Sequence, residues 1–204
     1  MSFRTPYPGY DVLAKWDSPS FDETTREVLR RRLEEIPPRR FLGEAEWALL
    51  DAVCARLIPQ PDRERPVPIA SWIDQALHDN RGEGFRYADM PPMREMWRRG
   101  LSGLAREAER RFGAAFETLP MEDQDAVLRA VQAGEVEPEA WAGLPPKRFF
   151  SEVLLKTVAG VYYAHPDAWS EIGFGGPASP RGYVRLGFDI ADPWDGREAR
   201  DAGA

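Results

Sequence analysis

An all-α domain of about six helices is the fold this sequence predicts, entered by an extended N-terminal arm and left by an irregular C-terminal strap rich in glycine and aromatic residues. Three observations predict it. Apolar residues recur at a period of about 3.6 in segment after segment. No stretch of useful length alternates with period two, and no repeat of about 20–50 residues is visible. Glycine and proline, 17 and 19 of the 204 residues, interrupt the chain mostly between the periodic segments and leave short connections.

Residues 1–19, with Tyr7 and Tyr10 among prolines, read as an extended arm. Ser20 and Glu23 have capping-box spacing and predict a helix running to about Glu35, stopped by Pro37-Pro38. Its stripe is Val28, Leu29, Leu33 and Ile36. A second helix carries Trp47, Leu50, Val53, Cys54, Leu57 and Ile58 on one face and ends at Pro59 and Pro61. Ile69, Trp72, Ile73, Ala76 and Leu77 repeat the spacing on a shorter third helix. After a polar connector, a long fourth helix runs from about Pro92 to Phe112. Met93, Trp97, Leu101, Leu104 and Ala108 form its stripe, Met96 and Phe112 lie at the margin, and a charged face includes Glu107 and Arg111. A fifth, about Pro120 to Ala133, is followed by Gly134 as C′ residue. A sixth opens at Pro145-Pro146. It is apolar over more than half its circumference from Phe149 to Tyr162, which marks it as the central, most buried helix.

Composition limits the function classes. The chain is 43% apolar and 30% charged, as in ordinary globular proteins. A net charge of −7 and a pI near 5.0 argue against general nucleic-acid binding, which needs a basic footprint. One cysteine excludes an intrachain disulfide, a CxxCH haem site and a zinc knuckle. No apolar run is long enough to span a membrane, and the first residues contain no export signal.

No catalytic, cofactor-binding or metal-binding set stands out. Cys54 reads as a buried apolar thiol, His78 as a group at a helix C-terminus, and His165, before Pro166, as the corner leading into the strap. Glu122, Asp123 and Asp125 read as a solvated helix first turn. Gly173-Phe-Gly175-Gly176-Pro-Ala178 has the spacing of a dinucleotide fingerprint. It lacks the preceding strand and following helix that the motif requires, and Pro177 interrupts it.

The strap, His165 to Phe188, holds five glycines, three prolines and four aromatics. Disordered tails are poor in aromatics, so this segment is expected to be fixed against something. Trp169, Arg181, Tyr183 and Arg185, with Tyr7 and Tyr10 of the arm, are the expected partner-binding residues, since arginine and large aromatics serve as interface anchors; the alternative for Arg181 and Arg185 is pairing with the chain's own excess of acidic residues.

Several of these segments resemble one known family. Phe41-Leu-Gly-Glu-Ala-Glu-Trp47 leading to Leu57-Ile58-Pro59 resembles the opening helix of the gluconate 2-dehydrogenase subunit 3 family. The Phe149-Phe150 helix ending at Tyr162-Tyr163-Ala-His165-Pro166 is similar to a later family segment. So are Trp169-Ser-Glu-Ile-Gly173 and Gly176-Pro-Ala-Ser-Pro-Arg-Gly-Tyr183, and the resemblance spans about residues 41–188. It implies a small, non-catalytic subunit that binds no cofactor itself. The implied partner is a large FAD-dependent subunit of the glucose-methanol-choline class acting on sugars, sugar acids or polyols, with a cytochrome c subunit as electron acceptor in many members. Many members also carry a twin-arginine signal that exports both subunits.

The expected organisation is an arm at 1–19, a helical domain at 20–164, a packed strap at 165–190 and a flexible tail at 191–204. The expected function is binding and stabilisation of the flavin subunit. The alternatives are a transient folding or export chaperone for it, and an independent sugar-active enzyme using His165, Asp167 and Arg181. Without a signal of its own, the complex is expected in the cytoplasm, or in the periplasm if the partner carries the signal.

Overall fold

The computed structural model describes residues 5–61, 63–82, 84, 86–178, 182 and 192–199. Every regular element among them is helical. The chain forms two compact units, Pro37–Val161, and Met1–Ile36 together with Tyr162–Ala204.

In the first unit, α2 (Glu44–Leu57) buries Leu49, Leu50, Val53 and Cys54. Its N-terminus is closed by the Glu46 carboxylate, which accepts the Gly43 N–H at 2.9 Å. It packs on α3 (Ile69–Asp79), α4 (Met93–Phe112) and α5 (Met121–Ala133). Asp125, read from sequence as part of a solvated first turn, instead takes a bidentate pair from Arg56 of α2 at 2.8 and 2.9 Å. That hydrogen bond outweighs desolvation and holds the Asp125 carboxyl below its usual range. The C-terminus of α3 is closed by Arg94, not by the His78 side chain. Arg94 donates to the carbonyls of Leu77 and His78, and Asn80 takes the left-handed conformation.

Two glycines inside α4 give up about 1 kcal/mol each of helix propensity so that large rings can approach the backbone. A Cβ on Gly100 would lie 2.1 Å from Cζ of Phe149, and one on Gly103 would lie 2.7 Å from Cδ2 of Trp141. Trp141, in the 3₁₀ turn Pro138–Trp141, and Phe149 are fully buried beside Trp97.

The sixth helix is present but not uniform. α6 (Pro146–Arg148) runs straight into a π-helical turn, Phe149–Leu155, and then into α7 (Lys156–Tyr163). Its buried residues include Phe149, Phe150, Leu154 and Val158. Such π turns are rare, and they shift the face that the following residues present.

Glu107 departs from the sequence reading. Its pair with Arg111 forms at 2.6 Å, but its side chain is fully buried and also receives Arg110 and the Glu137 N–H. Burial alone would raise its pKa; the hydrogen bonds from Arg110, Arg111 and Glu137 win, and the net shift is downward. A carboxyl with a depressed folded-state pKa contributes stability that is present above its unfolded value of about 4.3 and is lost as pH falls through the folded value. Glu107→Gln is therefore expected to cost stability at pH 7 and progressively less below about pH 4. Urea midpoints of both proteins across that range check this; a pH-independent difference would contradict it.

The second unit brings together the arm, α1 (Glu23–Glu34) and the strap. The N-cap of α1 is Asp22, whose carboxylate accepts the Thr25 N–H at 2.7 Å, and not Ser20. Ser20 is buried in the preceding turn, where it cannot cap. Of the expected stripe only Leu29 is buried; Val28 and Ile36 are 52% and 69% exposed. Leu29 joins Val12, Phe21 and Trp169 in one cluster, flanked by Tyr10, Leu13 and Trp16.

Candidate functional site

The strap starts at His165. This residue is buried and N-caps α8 (Pro166–Trp169), accepting the Asp167 N–H at Nδ1. With Nδ1 as acceptor, Nε2 carries the proton and donates to the Arg32 carbonyl at 2.8 Å. The imidazole is thus committed at both nitrogens to holding the corner. Cys54 is likewise committed: burial pushes its thiol pKa well up, away from a reactive thiolate.

After α8 a 3₁₀ turn, Ser170–Ile172, ends at Gly173. Gly173 and Gly176 have φ of +67° and +86°, which side chains with a Cβ rarely adopt. The space a Cβ would need at Gly173 is filled by the Tyr7 ring, and at Gly176 by Phe21. The Gly175 N–H is taken by Asp195 at 2.8 Å. These glycines serve the chain's own packing, in keeping with the rejection of a dinucleotide motif.

The described first part of the strap is therefore held by residues of the arm and by residues 192–199. Residues 192–199, expected as part of a flexible tail, run back along it: Gly196 N–H donates to Gly173 and Ala199 N–H to Pro6. Lys15 Nζ donates to the carbonyls of Trp194 (2.6 Å) and Gly175 (3.2 Å), and the Tyr10 hydroxyl reaches Trp194 O at 2.7 Å.

The expected partner-binding residues separate accordingly. Trp169 is 6% exposed, its Nε1–H donates to the Tyr163 carbonyl at 2.9 Å, and its ring meets Phe174 edge-on at 5.3 Å. Tyr7 and Tyr10 are half-buried against the strap and tail. The structure brings these three into one unit; Arg181, Tyr183 and Arg185 lie outside the described residues.

A second feature, which the sequence reading did not assemble, lies wholly within the Pro37–Val161 unit. It is a groove of about 390 Å³ walled by Ile73, Ala76 and Leu77 of α3, Met93, Met96 and Trp97 of α4, Val153 of the π turn, and Thr157 and Val161 of α7. The connector 80–92 supplies Tyr87, Met90 and the polar edge Asn80, Arg81 and Arg86. Glu152 stands at the edge, where hydrogen bonds from Lys156 and Tyr87 hold its carboxyl below the usual range. One signal was available in sequence: three of the five methionines fall within seven positions, at 90, 93 and 96.

A family model described as gluconate 2-dehydrogenase subunit 3 matches residues 44–176, well over half of the chain. The chain belongs to the gluconate 2-dehydrogenase subunit 3 family. No curated protein and no solved structure matches it. The subunit 3 match begins at the first residue of α2 and ends at Gly176. It thus contains every wall of the groove and the first half of the strap, while Tyr7, Tyr10 and Trp194 lie outside it. Among the described residues of this subunit 3 protein, no helix is long and apolar enough to cross a membrane. No group of three or more His, Cys, Asp or Glu side chains there could hold a metal ion.

Proposed function

We propose that this chain is the non-catalytic small subunit of a heteromeric dehydrogenase, binding and stabilising a large FAD-dependent subunit that acts on sugars or polyols. The flavin belongs to the large subunit. Membership of the subunit 3 family is the observation that carries this reading. The commitment of His165 and Cys54 to packing and capping supports it, since these are the side chains best suited to base or nucleophile chemistry.

Co-expression with a candidate large FAD-dependent subunit tests the reading. The two chains are expected to elute together, with flavin absorbance in the complex and none in the small subunit alone. Leaving out the small subunit should lower the yield of soluble, flavin-loaded large subunit. Separate elution, or sugar oxidation by the isolated small chain, would refute the proposal. Retention of the small chain in the mature enzyme excludes a purely transient chaperone.

A further inference from the structure

The groove in the Pro37–Val161 unit has features of a surface built to receive an apolar side chain of another protein. Its volume, about 390 Å³, lies at the lower end of the range for binding pockets, enough for an anchor but not for a whole helix. Met90, Met93 and Met96 contribute unbranched, polarisable walls that adapt to the shape they receive. Small-molecule sites fix their ligands with polar groups inside the pocket. Here Asn80, Arg81 and Arg86 of the lining are exposed, and the buried or half-buried lining is mostly apolar.

Charge at that edge points to the chemistry of the occupant. Three nearby carboxylates are already matched: Glu152 by Lys156, Asp79 by Arg81 at 3.3 Å, and Asp89 by Arg148. Arg86 donates to the Met90 carbonyl. Arg94, beside Met93, donates to the two α3 carbonyls, and Arg98, one turn further on, lies over the Phe41 ring at 4.6 Å. None of these three arginines forms an ion pair among the described residues, but of the three only Arg86 lines the groove; the charged side chains of its lining, Arg81, Arg86 and Glu152, leave one positive charge in excess on a chain whose net charge is −7. Complementary potentials of this kind select and orient partners.

We infer that this groove docks an apolar anchor residue flanked by Asp or Glu, presented by the large flavoprotein subunit. The inference rests on the accessory-subunit reading and adds to it the face that is used. Three variants of the full chain test it against the co-expressed large subunit: Met96→Glu in the wall, Arg86→Glu at the margin, and Val28→Glu as a control on exposed α1. Far-UV circular dichroism and melting temperature of each isolated chain report folding. Met96→Glu and Arg86→Glu are each expected to weaken binding about tenfold or more, and the loss with Arg86→Glu should shrink at high salt. Val28→Glu should bind like the wild type.

Unchanged binding by the two groove variants in an intact complex overturns the inference while leaving the function standing. A large loss with Met96→Glu but none with Arg86→Glu overturns the acidic partner. Should Met96→Glu fail to fold, Arg86→Glu, on the exposed connector, decides alone. A wild-type chain that forms no complex overturns the function and, with it, this occupant. Self-association abolished by Met96→Glu, or a small apolar compound carried by the wild type in native mass spectrometry and absent from the variant, would overturn the inference in favour of a second copy or a small ligand.

Discussion

Trp169→Ala is expected to destabilise the chain by about 3–5 kcal/mol, the cost of truncating a buried large aromatic. The ring is the largest member of the cluster it forms with Val12, Phe21 and Leu29, and its removal leaves a void bounded by residues from the arm, α1 and the strap. It also strands the Tyr163 carbonyl, which loses the indole N–H, and removes the edge contact with Phe174. Trp169→Phe keeps most of the buried area and loses only the hydrogen bond, so it should cost about 1–2 kcal/mol. Urea unfolding of the two variants beside the wild type checks both figures. A loss under about 0.5 kcal/mol for the alanine variant, the size of an ordinary surface change, would mean that the strap is not packed. Because the same unit anchors residues 192–199 through Gly173 and Gly175, the alanine variant should also show faster proteolysis at the C-terminus.

The helices were legible because burial imposes its period on the sequence. α2 to α5 lie within a few residues of where their apolar stripes place them, and Gly134 ends α5 in the left-handed conformation expected of a C′ residue. What escaped were features in which a polar or small residue is buried for a specific partner. Gly100 and Gly103 look like weak points of α4 until Phe149 and Trp141 are set against them. Glu107 has the spacing of a surface pair with Arg111, and only the loop arriving at Glu137 reveals it as an interior carboxylate. The π turn leaves no mark in hydrophobic periodicity, because Phe149, Phe150, Val153 and Leu154 fit an α-helical stripe equally well. The strap's aromatic and glycine content led to the expectation of a surface to pack on, and its described first part, residues 165–178, meets one. That the surface comes from both chain ends is a long-range fact that no local pattern encodes. The groove was hidden for a similar reason: its walls come from three helices, the π turn and a connector, and Met93 and Met96 also fit the stripe of α4 and its margin.

Asp74→Ala is the other substitution expected to cost about 3–5 kcal/mol, by a different mechanism. Asp74 sits in the middle of α3 and is fully buried. Its carboxylate accepts three successive backbone amides: Arg40 at 2.6 Å, Phe41 at 3.1 and 3.2 Å to its two oxygens, and Leu42 at 2.8 Å. A run of consecutive N–H groups converging on one anion is a backbone nest. Here it fixes the segment that leads into α2 and sets the Phe41 ring under Arg94 and Arg98. Alanine leaves three donors without an acceptor, and the Leu42 amide has no route to water. The exposed Glu27–Arg31 pair on α1 offers a contrast of scale, since an i,i+4 surface pair is worth about 0.3–0.5 kcal/mol. Asp74→Asn should fall between alanine and wild type: one oxygen still accepts, but the amide NH₂ replaces the second acceptor with a donor facing donors. Chemical denaturation of the two variants gives the order wild type, Asn, Ala. If alanine is tolerated as well as asparagine, the nest does not hold the α2 entry.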